Sequence, residues 1–421
     1  MKKLLIYISV LFLLPACENN RNANGHNEKE TALSSGEIPA INFDHLDYLY
    51  KDLTLPNGRK AGIIHIYSNY PDYSYDVEPL EGFTCVDDVA RAVILFSGEK
   101  ELSNHLIPLI EFLLYMQNKN GWFNNFMWKD LSINTTYKTS VAEPNWWSWR
   151  ALWALEKALP IMEIQNPALA VRMKAAVNLL LDKIKVYLSS LKQSNKQIKG
   201  VSIATNLPYE SATDQASVLL IGLNHYYQRS GDTTIKIPMK QLADGILKMQ
   251  IKNGPLEGMF LSWENLWHAY GNTQSYALLL TGKLLKENIY TKAALHEIDS
   301  FFPYLQKKGF LEMMTVQSNN QTVVVLNEKV FPQIAYGIRP IVYACVEAYK
   351  QTGNKKYKES AFQWVSWLSG KNTASTIMYH PETGRCYDGI KSGTEINQNS
   401  GAESTIEALL SLQSYNSIKE F

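Results

Sequence analysis

A turn that recurs down the chain constrains this sequence more than any other feature. Leu114-Tyr115-Met116-Gln117-Asn118-Lys119-Asn120-Gly121-Trp122-Phe123 is echoed by Leu247-Lys248-Met249-Gln250-Ile251-Lys252-Asn253-Gly254. It returns at 305–311 and, more faintly, at 364–372. Each copy ends an apolar helical run in a polar turn, where glycine supplies the left-handed conformation that stops a helix. A repeat of this kind marks a unit that cannot bury its apolar face alone and must stack on its neighbours. Helical spacing predicts five such pairs: 86–96 with 102–117, 145–159 with 168–191, 212–227 with 239–251, 265–285 with 292–306, and 334–352 with 357–368. A last helix, 403–412, is left over, and a first helix, 41–53, is free to pair with it. Six pairs give an all-α (α/α)6 toroid, with extended segments crossing a pocket mouth. An open superhelical stack is the alternative. Alanines at 90, 92, 151, 154, 212, 216, 335 and 344 suit a crowded inner ring.

The toroid is expected to occupy 41–421 as a single domain. Residues 1–17 read as a processing segment: Lys2 and Lys3, an apolar run of about 11 residues that is too short to span a bilayer, then Leu14-Pro15-Ala16-Cys17. This is a lipobox, with Cys17 the lipidated residue; an ordinary secretory peptide is the alternative. Glu18 after the cysteine favours the outer membrane of a Gram-negative cell. Residues 18–40 are polar and read as a disordered tether. The expected partners are a membrane, through the lipid, and a glycan, with the protein a monomer. Lys and Arg number 41 against 40 Asp and Glu, without basic blocks, which argues against nucleic acid. The remaining cysteines, Cys85, Cys345 and Cys386, are too widely spaced for a thiolate metal site and read as buried small side chains, with one bridge left open. The histidines show no metal spacing, so no metal or cofactor is expected.

Acids stand at matching places in this layout. Asp87 and Asp88 open one inner helix and Glu143 precedes the next. Glu210 and Asp214 flank a third, Glu264 is expected to start a fourth, and Glu403 opens the last. If the ring closes, these carboxylates converge on one mouth. Cleavage of a glycosidic bond needs two carboxyl groups, one protonated to serve the leaving oxygen and one to activate water or attack. Asp87, Asp88, Glu143 and Glu403 are the catalytic candidates. A helix N-terminus favours the charged form and an apolar neighbour the protonated one. Glu143, beside Trp146 and Trp147, is therefore the expected acid, and Asp88 or Glu403 the base. A plain helix cap is the competing reading for the aspartates and for Glu143. The chain has 24 Tyr and 10 Trp, many of them at these junctions, where flat rings suit sugar faces. Trp122, Trp146, Trp147, Trp263, Glu210, Asp214, Glu264, His268, Arg339 and Asp388 are the substrate-binding candidates. Trp149 and Trp153 read as core. Arg91 and Arg150 each follow an acid-bearing junction and are expected to pair with those acids.

The segment 85–92 resembles a Thr-Asp-Asp-Asn-Ala-Arg-Ala box of uncharacterised bacterial toroid domains associated with mannoside-processing loci. Gly121-Trp122-Phe123-Asn124-Asn125-Phe126-Met127 and, after Glu143, Arg150-Ala151-Leu152-Trp153-Ala154-Leu155 carry the resemblance onward. Val89 stands where asparagine is usual, and Val-Ala-Glu-Pro-Asn-Trp replaces Ser-Glu-Asp-Ser-His-Gly. More distantly, the chain is similar to the six-hairpin glycosidases. The resemblance implies a toroid acting on carbohydrate. The expectation is a glycoside hydrolase acting on an oligo- or polysaccharide. A non-catalytic glycan-binding lipoprotein and a polysaccharide lyase, with Arg339 facing a uronate, are the alternatives. An epimerase would want paired histidines.

Overall fold

The computed structural model describes residues 37–419 except 100, 102 and 193, so the Cys17 lipobox and most of the tether lie outside the described residues. Twelve helices form among the described residues: α1 (Asp44–Leu49), α2 (Val86–Phe96), α3 (Leu106–Met116), α4 (Trp146–Gln165), α5 (Pro167–Ser190), α6 (Thr213–Ser230), α7 (Lys236–Lys248), α8 (Gln274–Leu285), α9, α10 (Ala335–Thr352), α11 (Lys355–Val365) and α12 (Ala402–Asn416). α9 runs Asn288–His296, passes through a π-helical Glu297–Phe301 and continues as Phe302–Lys307.

The even-numbered helices from α2 to α12 each pack on the next, and α12 returns to α2. That last contact closes the ring and excludes the open stack. The two rings differ in sequence as their surroundings demand. Every residue of α2 except Asp87 is buried, whereas α5 buries one stripe, Leu169, Met173, Val177, Leu180, Ile184 and Leu188, at helical spacing. Buried apolar side chains from Leu46 to Ile418 form one contiguous core.

The repeated turn has a defined mechanical role. The Gln117 side chain donates to its own turn at Gly121 O (3.0 Å) and to the next outer helix at Ala176 O (2.9 Å). Gln250 does the same, to Gly258 O (3.0 Å) and Ala293 O (2.8 Å). These two copies each stitch one hairpin to its neighbour.

Two boundaries differ from expectation. The first helix stops at Leu49, and Tyr50–Thr54 pairs with Lys60–Ile64 as an antiparallel ribbon. Residues 265–273 are not helical either: Leu266–His268 pairs with Met313–Thr315 in a three-stranded sheet completed by Thr322–Lys329. Leu266 and Trp267 are buried by sheet pairing in a stretch whose apolar run looks the same for either element. Glu264 therefore sits in a turn, one element away from α8. The three cysteines are free and buried.

Glu297, in the π-helical segment of α9, is a buried carboxyl that accepts from Phe260 N–H (3.0 Å) and Ser275 Oγ–H (2.7 Å). Burial pushes it up to about 7 against the pull of those two donors. Because its folded value is raised, its stabilising share is complete below the unfolded carboxyl range and is lost as pH rises through about 7. Glu297→Gln keeps the shape without the charge. Between pH about 4.5 and 7 the variant is expected to gain about 3 kcal/mol of stability relative to wild type, read by urea unfolding at each pH.

Candidate active site

The first two turns of the inner helices meet at one end of the axis. Asp87, Asp88 and Arg91 come from α2, Arg150 from α4, Tyr336 and Arg339 from α10, and Glu403 and Glu407 from α12. The Arg91 guanidinium is the hub. It donates to Asp88 (2.8 Å), Glu403 (2.7 Å) and Glu407 (2.8 Å), one nitrogen to each. Arg339 also pairs with Glu407, and Arg150 pairs with Asp87 while donating to the Tyr336 hydroxyl at 2.6 Å. The Tyr336 ring lies 4.6 Å from the Arg91 guanidinium and 5.5 Å from that of Arg339, a cation–π platform beneath the ion pairs.

The asymmetry of the cluster gives it its chemistry. Four carboxyl groups face three guanidiniums, so full ionisation would leave one negative charge in excess. Glu403 is the carboxyl placed to take up the balancing proton. Burial pushes it up to about 7, opposed by Arg91 and assisted by Asp88 and Glu407. It is enclosed by the ring yet open along the axis, with 39% of its side chain exposed. Asp88 is also pushed up by burial, while Arg91 pulls it back. Its side chain is 4% exposed, and Glu407 is sealed completely. Asp87 remains accessible at 21%. Asp88 and Glu403 share one guanidinium, which places them within about 8 Å of each other.

Local structure fixes these side chains. Cys85 is the N-cap of α2: its sulfur accepts from Asp88 N–H at 3.4 Å, and its thiol donates to the Asp88 carboxylate at 3.2 Å. Asp87 and Asp88 thus lie inside the first turn and are not its cap. The N-cap of α12 is Gly401, which has no side chain to cap with. Asp388 does so from a distant loop, accepting from Gly401 N–H (2.9 Å) and Ser404 Oγ–H (2.6 Å). Asp388→Ala is expected to cost about 1–2 kcal/mol, with Asp388→Asn retaining most of the stability in the same denaturation experiment.

A second polar group adjoins the first. Asp214, in the first turn of α6, accepts from His268 Nε2 at 2.8 Å, and the His268 ring stacks on Tyr270 at 3.9 Å. Tyr270 in turn lies 6.2 Å from Tyr336. Gly271 makes the junction possible. Its φ is +64°, and a Cβ there would stand 2.8 Å from the Tyr336 hydroxyl and 2.9 Å from the Trp146 ring.

The remaining candidates separate into rim and packing. Glu143 accepts from Asn145 Nδ2 (2.9 Å) and the Tyr209 hydroxyl (3.2 Å), and Trp263 Nε1 donates to Tyr209 O at 3.2 Å. Lys196 bridges Glu210 (2.7 Å) and Glu264 (2.8 Å) farther out. Arg150 pairs with Asp87 of the neighbouring inner helix and not with Glu143, the acid of its own junction. Trp146 reaches the mouth, over Arg150. Trp147 does not: it is 3% exposed and donates to Phe123 O at 2.6 Å. Trp122 packs edge-on against buried Trp149 at 5.6 Å. Trp149 and Trp153 are core. Arg339 is buried among Trp153, Tyr336 and Tyr343, a structural ion pair away from the open mouth.

Sequence reading missed Glu407, Tyr336 and Gly271. Glu403 and Glu407 are four apart on one helix, as Tyr336 and Arg339 are three apart, so one face carries each pair. That spacing was the available signal. Among the described residues, no group of three or more His, Cys, Asp and Glu side chains is placed to hold a metal ion, and no helix is long and apolar enough to cross a membrane.

The closed double ring is an (α/α)6 toroid. Among solved structures, the chain is similar to a cellobiose 2-epimerase from Bacillus thermoamylovorans B4167 (14% identity, TM-score 0.58, 84% of this chain and 92% of the other). It is also similar to a D-mannose isomerase (12%, 0.53, 81% and 93%) and to a family 76 glycoside hydrolase from a bovine Bacteroides thetaiotaomicron strain (14%, 0.51, 86% and 74%). At these identities the likeness is one of fold. No family model and no curated protein sequence matches the chain.

Proposed function

We propose that this protein is a carbohydrate-active enzyme that hydrolyses glycosidic bonds, with Glu403 as the proton donor and Asp87 as the base. The observation that carries this reading is the axial cluster: an accessible carboxyl held by Arg91 and raised to about 7, and an accessible carboxylate held by Arg150, the two guanidiniums meeting over the Tyr336 ring. Glu403 gives its proton to the glycosidic oxygen as the bond to the anomeric carbon breaks. Asp87 takes a proton from the water that attacks that carbon, so one water is consumed per bond. Glu143 becomes a rim residue in this scheme, and Asp88 a buried anchor for Arg91. The toroid's occurrence in sugar-converting proteins supports the substrate class. The deciding experiment is a screen of oligosaccharides for release of reducing ends, with Glu403→Gln as the control. Release that persists in the variant overturns the assignment.

The His268–Asp214 pair favours a second reading, a sugar epimerase or isomerase in which His268 moves a proton at carbon. The same screen separates the two, because isomerisation changes the sugar without releasing a new reducing end. We further infer that residues 1–17 are a lipoprotein leader, with Cys17 anchoring the protein to the outer membrane. Mass spectrometry of the membrane-extracted protein would show a diacylglyceryl cysteine at its N-terminus.

A further inference from the structure

The wall of the mouth beside α12 is built by a strand that sequence reading did not connect to the site. Tyr67–Asn69 is stitched to the start of α12 by Ala402 N–H to Ile66 O (2.9 Å) and Ser400 N–H to Ser68 O (3.0 Å). On its other side Ile66 N–H donates to Phe83 O, at the entrance to α2 (3.2 Å). Tyr67 therefore stands between the helix carrying Glu403 and the helix carrying Asp87. Its hydroxyl donates to Glu81 at 2.6 Å. Burial first, then the Glu81 carboxylate, pushes the phenol far above its usual range, and Asp88 is near enough to add to the effect. Glu81 is held rigidly. Its carbonyl accepts from the buried Asn134 side chain at 2.9 Å. The adjoining Gly82 has φ +139°, and any Cβ would stand 2.2 Å from Met127 O.

The donor and acceptor inventory of the mouth is one-sided. Asp87, Glu143, Glu403 and Glu81 each spend one oxygen on the protein, and among the described residues their second oxygens accept nothing. The guanidiniums beside the axial carboxyls are committed, and the exposed Lys138 acts on Glu81. The Arg91, Arg150 and Arg339 side chains are 5%, 3% and 2% exposed, each in an ion pair, and Lys196 is clamped between two glutamates. Acceptor oxygens without matching donors call for a ligand rich in hydroxyl groups. A ligand carboxylate at the axial carboxyls would meet like charge, with the Arg91, Arg150 and Arg339 guanidiniums sealed from it.

We propose that this mouth selects an uncharged sugar and excludes a uronate, and that Tyr67 and Glu81 grip its hydroxyl groups alongside the axial carboxyls. The proposal rests on the reading of the mouth as a carbohydrate site and adds its substrate class. It excludes the lyase alternative, which needs a uronate.

The test is calorimetric binding to the full chain. The probes are thio-linked mannobiose, which resists hydrolysis, and digalacturonate, at equal ionic strength. Thio-linked mannobiose is expected to bind at least about 10-fold more tightly. Tyr67→Phe and Glu81→Gln are each expected to weaken it about 3- to 10-fold with unchanged melting curves, the size of one hydrogen bond to a charged or shared group. Glu81→Gln is also expected to narrow the gap to digalacturonate. Equal or tighter binding of digalacturonate, no binding of the neutral disaccharide, or neutral affinity untouched by both substitutions overturns the proposal. If the neutral probe binds selectively while the wild type cleaves no oxygen-linked glycan, the selectivity stands and the hydrolase reading falls.

Discussion

Glu403→Gln is expected to lower glycoside cleavage by about 10²- to 10⁴-fold while leaving the fold intact, because it removes the proton donor but keeps the hydrogen bond to Arg91. The amide oxygen still accepts from the guanidinium, and a charge the cluster holds in excess disappears. Stability is therefore expected to hold or rise slightly at neutral pH. The pH profile carries the sharper signature. A general acid works only while protonated, so wild-type activity is expected to fall as pH rises through about 7, the value to which burial pushes Glu403. In the variant, the residual activity loses that alkaline limb. Rates measured from pH 5 to 9 on one active oligosaccharide decide the matter. A profile in which the limb near 7 survives the substitution would assign the acid to another residue.

Arg91→Met is expected to cost about 3–5 kcal/mol, the largest stability effect of any single change at the site. Arg91 is almost wholly buried and is the shared partner of Asp88, Glu403 and Glu407. Methionine fills much of the volume but leaves buried carboxyls without their counter-charge. Glu407 retains Arg339, whereas Asp88 loses its only cation partner among the described residues and keeps only the hydrogen bonds with Cys85. Arg91→Lys is expected to recover a minor part, since one ammonium cannot span three acceptors held by two helices as a planar guanidinium does. A second change, Asp88→Asn, is expected to return part of the loss in the Arg91→Met background, although alone it destabilises. That sign reversal, read by urea denaturation in a double-mutant cycle, separates charge compensation from packing. Additive losses would mean that Arg91 acts through its volume.

The elements of the ring were legible because they rest on local rules. Apolar spacing set the helices, and the repeated glutamine–glycine turn set where outer helices stop. Recurring alanines, such as Ala90, Ala92, Ala151 and Ala154, marked the inner helices. Local rules failed where two elements share one pattern: Leu266 and Trp267 suit a strand as well as a helix, and only the partner strand at Met313–Thr315 decides. The acids were legible as a set, since each stands near a helix start. Their roles were not. Glu143 looked like the acid because tryptophans follow it in the sequence, yet Trp147 turns into the core and Trp146 toward Arg150.

What the sequence determined by itself, then, is the helical repeat and the carboxyl groups placed at its helix starts; that the repeat closes into a ring was decided by the contact of α12 with α2. Tertiary structure alone decided which carboxyls meet which cations. Arg91 reaches Glu403 across 312 residues of chain and Glu407 across 316, and Arg150 reaches Asp87 across 63. No local pattern encodes such pairings, because they exist only once α12 closes against α2. Closure also buries Asp88 and Glu407 while leaving Glu403 and Asp87 open along the axis. For Asp88 and Glu403, burial favours the protonated form and Arg91 opposes it.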